Sequence, residues 1–251
     1  MDPQFRDVVL ARWQRYFGEA PLPVAFYYTD QERPRSVPGQ RCLICNVAGV
    51  LDGTTFVYDA KTPGCAGGKR YTGFADSLRP NFDYFLSCGI PGKMEGERYK
   101  QSPELVRAYL EQHPPFEAPG RTLVFKRWDK LEDDEVPMAA IFFATPDVLA
   151  GLYTLANYDV VDPYGVVAPM GSGCASIVAY PSAEAQSENP RCILGMFDVS
   201  ARPCVADDVL TFTVPLARLQ QMVGYMDESF LITQSWRSVR DRINTHRTSG
   251  A

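Results

Sequence analysis

The chain has 251 residues, 45% of them hydrophobic, and a net charge of −5 at pH 7. This length and composition favour one domain with a sizeable core. The Lys and Arg residues are scattered rather than gathered into a basic stripe, so we expect no nucleic-acid partner. The N-terminus lacks a basic region followed by an apolar stretch, and no run approaches the roughly 18 apolar residues of a membrane span. We therefore expect a cytoplasmic protein with no membrane partner.

Helical spacing and helix-start signals alternate with short apolar runs along the chain. The predicted helices span residues 2–17, 71–78, 102–111, 145–157, 215–222 and 228–244. The predicted strands span residues 24–28, 54–58, 122–128, 138–144, 192–199 and 211–214. The run 41–50 fits either a strand or a helix, because short apolar runs do not distinguish the two.

No low-complexity linker interrupts this pattern, which predicts a single domain over residues 1–251 with a frayed C-terminal tail at 245–251. The expected fold class is α/β or α+β. The expected architecture is a mixed sheet flanked by helices and by glycine-rich cysteine loops.

Seven cysteines form an odd number in a chain without an export signal, so a disulfide framework is improbable and reduced thiols are expected. The chain has two histidines, His113 in a loop-like segment and His246 in the polar tail. Histidine-rich zinc sites and Ser-His-Asp catalysis are therefore disfavoured, and His113 is interpreted as an ordinary surface residue.

Two glycine-rich turns, 63–68 and 171–176, each carry a cysteine before a possible helix. Glycines let the backbone approach a ligand closely, and a cysteine at a helix start faces unpaired amides that favour the thiolate. Cys65 and Cys174 are thus candidate metal ligands, cluster ligands or nucleophiles.

Four segments in order resemble a family of uncharacterised bacterial and archaeal proteins, the domain of unknown function 169. They are Pro21-Leu22-Pro23-Val24-Ala25-Phe26, Cys65-Ala66-Gly67-Gly68 with Tyr71-Thr72-Gly73-Phe74 behind it, Gly171-Ser172-Gly173-Cys174, and Ala201-Arg202 leading into residues 208–215. Ala66 stands where the family commonly has proline. The resemblance implies the domain boundary and the importance of the loops, and it supplies no substrate.

A cysteine-ligated iron–sulfur cluster needs up to four thiolates converging from turns, with amides and glycines around the sulfides. The cysteines that lie beside Gly or Pro in predicted turns are the proposed ligands: Cys65, Cys88, Cys174 and Cys204. Glycines in the turns would let the backbone approach a ligand closely: Gly64, Gly67, Gly68, Gly171 and Gly173. Arg202 would place a positive charge at the rim of the pocket. This hypothesis predicts electron transfer or a redox step on a small molecule, with a small-molecule substrate or a redox partner.

Other roles for the cysteines compete with that hypothesis. Cys42 and Cys45 have the spacing of a redox pair, but in a strand their sulfurs would point to opposite faces, so packing is favoured. Cys192, before two apolar residues, is interpreted as a core thiol. A nucleophilic Cys65 or Cys174 would need activation by Lys69 or Arg70, because the sequence places no histidine near either turn.

A metal-free alternative treats both glycine turns as cradles for an anion or another small ligand. Neither turn completes a phosphate-binding loop or a dinucleotide fingerprint. Asp207 and Asp208 are interpreted as a solvated turn. The sequence leaves the reaction, enzyme status and oligomeric state open.

Overall fold

The computed structural model describes residues 2–34, 36–113 and 115–248, and side chains only as far as Thr245 within the last helix. The helices are α1 Pro3–Phe17, α2 Leu43–Gly49, α3 Ala66–Tyr71, α4 Phe82–Leu86, α5 Pro103–Gln112, α6 Pro146–Leu155, α7 Tyr180–Glu184, α8 Leu216–Tyr225 and α9 Gln234–Thr248. The strands are β1 Val24–Thr29, β2 Phe56–Asp59, β3 Thr122–Arg127, β4 Ala139–Ala144, β5 Val166–Val167, β6 Cys192–Gly195 and β7 Leu210–Pro215.

The strands form one mixed sheet in the order β2-β3-β1-β4-β7-β6-β5. Neighbouring strands are antiparallel except β5 and β6, which are parallel. The central strand β4 is buried along its whole length, as expected for a strand covered on both faces. The predicted compact α/β domain with a mixed sheet is confirmed.

Alternating side chains divide the core between the two faces of the sheet. On one face, Phe142 and Phe212 pack with residues of α1, α6, α8 and α9. On the other face, Phe26 and Ile141 pack with α2 and with a π-helical segment, Ala175–Ala179, that continues directly into α7. The second face carries the cysteine turns.

Local chemistry explains where several helices begin and end. The Ser102 hydroxyl accepts a hydrogen bond from the Leu105 amide at the start of α5, as the sequence predicts. Helix α1 ends at Gly18, whose φ of +60° favours glycine. The predicted frayed tail at 245–251 begins inside α9, while the His246 side chain and residues 249–251 lie outside the described part of the chain.

Two segments differ from their predicted form. The ambiguous run 41–50 contains helix α2, because Leu43, Ile44 and Val47 all point into the core at helical spacing. The helix predicted at 71–78 lies earlier, at Ala66–Tyr71, since it starts directly after Cys65 and ends before Gly73, where φ is +78°.

Among the described residues, no helix combines the length and the apolarity needed to cross a membrane.

Candidate cysteine centre and ligand cavity

A cavity of about 730 Å³ lies on the face of the sheet that carries α2 and the π-helical segment. Pockets of roughly 300–1,000 Å³ are typical of small-molecule sites. Its walls come from the start of α2, from α3, from the segment 78–109, and from the segments 168–176 and 195–201. The aromatic side chains of the wall are Tyr71, Phe82, Phe85, Tyr99, Tyr109 and Phe197. A ligand there would meet a mostly aromatic and aliphatic surface.

Three free thiols line this cavity: Cys42, Cys65 and Cys174. They come from three separate segments, one before α2, one before α3 and one before the π-helical segment. Burial raises the pKa of the Cys174 thiol well above its ordinary value, and negative charge on Cys65 and Cys42 raises it further. The three sulfurs therefore share one electrostatic environment.

The first cysteine turn is held by its glycines and by Tyr58. The Cys65 sulfur accepts a hydrogen bond from the Gly68 amide at 3.2 Å, which caps α3. A Cβ on Gly64 would lie 2.6 Å from the Tyr58 hydroxyl, and a Cβ on Gly68 would lie 3.3 Å from the Cys65 sulfur. Gly67 lines the cavity, and a Cβ added to it would meet no described atom within 4 Å. Gly64 and Gly68 thus fix the turn, and Gly67 faces the ligand space.

The second turn is tied to the segment after β6. The Gly173 amide donates to the Asp198 carboxylate at 3.0 Å. A Cβ on Gly171 would lie 2.5 Å from the Tyr180 hydroxyl, and one on Gly173 would lie 3.2 Å from Ile44. Cys174 then precedes a stretch of π-helix, a geometry found often at functional sites.

Tyr58 lies beneath the first turn, and its ring is almost completely buried. Its hydroxyl has no hydrogen-bond partner within the part of the chain that the structure describes. Burial raises the pKa of Tyr58, and negative charge on Cys65 and Cys174 adds to the effect. A buried hydroxyl without a partner beside two thiols is an unused hydrogen-bond donor.

The structure does not bring the four proposed cluster ligands together. Cys65 and Cys174 share the cavity, whereas Cys88 is exposed, lies outside the cavity wall and donates its thiol to the Gly89 carbonyl at 3.4 Å. Cys204 is joined to Cys45 by a disulfide, so its sulfur is not available as a thiolate ligand in this state.

Arg202 also lies elsewhere than predicted. Its guanidinium donates to the carbonyl groups of Ala206, Asp207 and Val209, and it is not part of the cavity wall. This side chain closes the loop before β7 instead of placing a charge at the rim, because backbone carbonyls surround it.

Sequence reasoning missed Cys42. The start of α2 puts Cys42, its N-cap, and Cys45, in its first turn, close together, and the sulfurs of Cys42, Cys45 and Cys204 all lie within 4.8 Å of one another. A cluster of cysteines close enough to bind a metal is therefore present, although two of its sulfurs are bonded together. The expectation of reduced thiols is wrong for Cys45 and Cys204. A C-x-x-C spacing, given a helical assignment, was the signal that could have found this group.

The two basic residues expected to activate a cysteine nucleophile both bind backbone carbonyls, and Lys69 also interacts electrostatically with Cys65. Lys69 donates to the Asp59 carbonyl and lies 4.1 Å above the Tyr58 ring, while Arg70 donates to the Asp76 carbonyl at 2.5 Å. His113 is exposed and stacks on Tyr109, as expected of a surface residue. Within the described part of the chain, neither Arg70 nor His113 is placed as a general base for Cys65 or Cys174.

The glycine-turn amides are likewise partly used inside the protein. The Gly68 amide bonds the Cys65 sulfur, the Gly173 amide bonds Asp198, and the Ala175 amide bonds the Ser172 hydroxyl. The two turns therefore offer an anion fewer free amide donors than their sequences predict.

Cys192 is fully buried, and burial raises its pKa to about 12, which confirms it as a core thiol.

A family model described as uncharacterised ArCR, DUF169, matches residues 18–224. No curated protein and no solved structure matches the chain. The family match includes β1, both cysteine turns and β7, and so covers the sheet and the cavity together. The chain therefore belongs to the domain of unknown function 169 family.

Proposed function

We propose that this protein is a cysteine-ligated metal or iron–sulfur protein, with Cys42, Cys65 and Cys174 as the ligands and with a small molecule bound in the adjoining cavity. Its role is electron transfer or a redox step on that molecule. The observation that carries the proposal is that three free thiols, from three separate segments, line one cavity.

The donor set suits a soft metal. Thiolates select zinc, copper(I) and iron–sulfur clusters over hard cations. Negative charge on neighbouring sulfurs disfavours ionisation of Cys174, and a bound cation would reverse that effect. The Gly68 amide at the Cys65 sulfur and the unused Tyr58 hydroxyl are the kind of outer donors that tune such centres.

Three protein thiolates leave one coordination position for another ligand. When bound, the metal or cluster would supply electron transfer or Lewis acidity to a molecule held there. The protein's part is to hold that molecule against the aromatic walls. The cavity volume fits a small organic ligand, and the wall residue Asp198 is fixed by the Gly173 amide and the Ser200 hydroxyl.

The test is metal analysis after purification without air. Iron, acid-labile sulfide and zinc are measured per chain for the wild type and for Cys42→Ser, Cys65→Ser and Cys174→Ser. Each variant is expected to lose most of the metal, because each removes one of three ligands. The matched control is Cys88→Ser, which removes an exposed thiol outside the cavity and should keep the wild-type content.

Metal content unchanged in the three cavity variants would overturn the assignment, as would an equal loss in Cys88→Ser. Circular dichroism on each variant separates loss of metal from loss of fold.

A metal-free ligand-binding protein is the second candidate. It is favoured by the predominantly apolar wall and by the burial of Cys174, which keeps that thiol protonated and able to pack as an apolar group. A folded, colourless and metal-free wild type would select this candidate.

A further inference from the structure

The group formed by Cys42, Cys45 and Cys204 joins a free thiol to a disulfide. The three sulfurs lie within 4.8 Å of one another, and Cys45 and Cys204 are bonded. Cys42 is half-buried, unbonded and part of the cavity wall. A thiolate at this distance from a disulfide is a potential attacking group.

We propose that these residues form a thiol–disulfide exchange centre at the edge of the cavity. The Cys42 thiolate attacks the Cys45 sulfur, a Cys42–Cys45 bond forms, the Cys45–Cys204 bond breaks, and Cys204 leaves as a thiolate. One disulfide and one thiolate are present before and after, so the step needs no external oxidant. An external dithiol can supply the two electrons that convert either disulfide to free thiols.

Local structure favours Cys45 as the sulfur attacked. Cys42 immediately precedes α2, and Cys45 lies in its first turn. The Asn46 side-chain amide donates to the Cys42 and Gln40 carbonyls at 2.8 and 2.7 Å, and its oxygen accepts from the Gln40 amide. Asn46 thereby holds the Cys42 backbone against the turn that carries Cys45. The C-x-x-C spacing allows a direct bond between these two cysteines.

Cys204 is suited to be the leaving sulfur. It is the last residue of a 3-10 helix, Val199–Cys204, whose first three residues line the cavity. The chain immediately after it is fastened by Arg202, which bonds the carbonyls of Ala206 and Val209. The released thiolate therefore stays near the new disulfide, and the exchange can run in reverse.

Exchange would also change the proposed metal site. This consequence rests on the proposed function, because Cys42 is one of the three proposed ligands. A Cys42 sulfur bonded to Cys45 is no longer a thiolate, so the cavity would keep only Cys65 and Cys174. The position of the disulfide would then set whether the cavity can hold its metal.

Exchange itself is tested on the metal-free protein without reductant. The protein is moved from acid to above about pH 8, where thiolates form, and pulsed with iodoacetamide at increasing times. Peptide mapping by mass spectrometry then locates each label and each disulfide. We expect a growing fraction of chains with a labelled Cys204 and a Cys42–Cys45 bond, at a rate independent of protein concentration.

The same fraction should be absent from Cys42→Ser and unchanged in Cys88→Ser, which removes an exposed thiol outside the trio. Cys204 that remains unlabelled in the folded wild type at all times would overturn the proposal. A rate proportional to protein concentration would also overturn it, since it would mean exchange between molecules. The wild-type measurement stands even if Cys42→Ser fails to fold.

The link to the metal is tested separately with Zn²⁺ alone. The exchanged pairing, fixed without alkylation by oxidising Cys204→Ser so that Cys42 and Cys45 are bonded, should bind Zn²⁺ at least about tenfold more weakly than the unexchanged wild type, because it lacks one ligand. Exchange with unchanged Zn²⁺ affinity would remove Cys42 from the ligand set and leave the exchange centre standing. Loss of metal in Cys42→Ser, together with no exchange in the wild type, would keep Cys42 in the ligand set and overturn the exchange centre.

Discussion

The hydroxyl of Tyr58 destabilises the folded, metal-free protein, because it is buried and has no described hydrogen-bond partner. An unsatisfied buried polar group destabilises by about 1–3 kcal/mol. Tyr58→Phe keeps the ring that packs under the Cys65 turn and removes only this oxygen. We therefore expect the metal-free variant to be about 1 kcal/mol more stable than the wild type in urea unfolding.

Tyr27→Phe is the matched control. The Tyr27 hydroxyl donates to the buried Glu135 carboxylate, so its removal should cost about 2 kcal/mol. Equal destabilisation by both substitutions would mean that the Tyr58 hydroxyl is satisfied in solution.

For individual residues, the sequence predicts part of the candidate site. Cys65 and Cys174 could be found because glycines beside a cysteine report a local turn, and both turns reach the cavity. Cys88 and Cys204 lie in similar turns, but local turn chemistry does not say where a turn sits relative to the sheet. Cys42 could not be assigned because its neighbours Leu43 and Ile44 suit a strand as well as a helix.

Helix α6 packs against α9 and α1 at Gly151, a buried position where a side chain has no room. A Cβ there would overlap the Trp236 ring and lie 2.8 Å from Phe17. Both neighbours are large rings buried in the core, so they cannot give way without moving a helix. Gly151→Ala is expected to destabilise the protein by about 1–3 kcal/mol.

Gly224→Ala in α8 provides the comparison, because no described atom outside its own stretch of helix lies within 4 Å of the added methyl group. The same chemical change should there stabilise the protein by about 0.5–1 kcal/mol through helix propensity. Thermal unfolding of the two variants tests whether the added methyl group has opposite effects at the two positions. Opposite shifts in Tm support the packing argument, and equal shifts contradict it.

Elements with a usual capping or periodic signal were predictable, and those that begin or end on an unusual local conformation were not. The Ser102 cap and the apolar spacing of α1 predict their helices directly. The start of α3 is different, since it depends on the Cys65 sulfur accepting the Gly68 amide, and cysteine is not a usual cap. The run 192–199 ends as a strand at Gly195 because Met196 takes a φ of +69°.

For the whole molecule, the Cys45–Cys204 disulfide joins residues 159 positions apart and so restrains most of the unfolded chain. Closing so long a loop corresponds to roughly 4–5 kcal/mol in the chain-entropy model, and removal of native disulfides typically costs about 2–5 kcal/mol. Reduction by a dithiol should therefore lower the free energy of unfolding by about 2–5 kcal/mol. Urea unfolding with and without the dithiol measures the change.

The double variant Cys45→Ser, Cys204→Ser should unfold at the reduced wild-type midpoint whether or not the dithiol is present. If the dithiol leaves the wild-type midpoint unchanged, the disulfide does not contribute to global stability. The chain-entropy contribution could not be foreseen from sequence, because the pairing of seven cysteines is set by the tertiary fold.

Strand β1 lies in the middle of the sheet although it is the first strand made. Val24 is paired on one side with Arg127 and on the other with Ile141, more than a hundred residues later. A nascent chain must therefore keep an apolar run without its partners until β3 and β4 have left the ribosome. Premature termination before β3 would therefore leave β1 without either of its partners and yield a fragment with an unpaired apolar strand that is prone to aggregate.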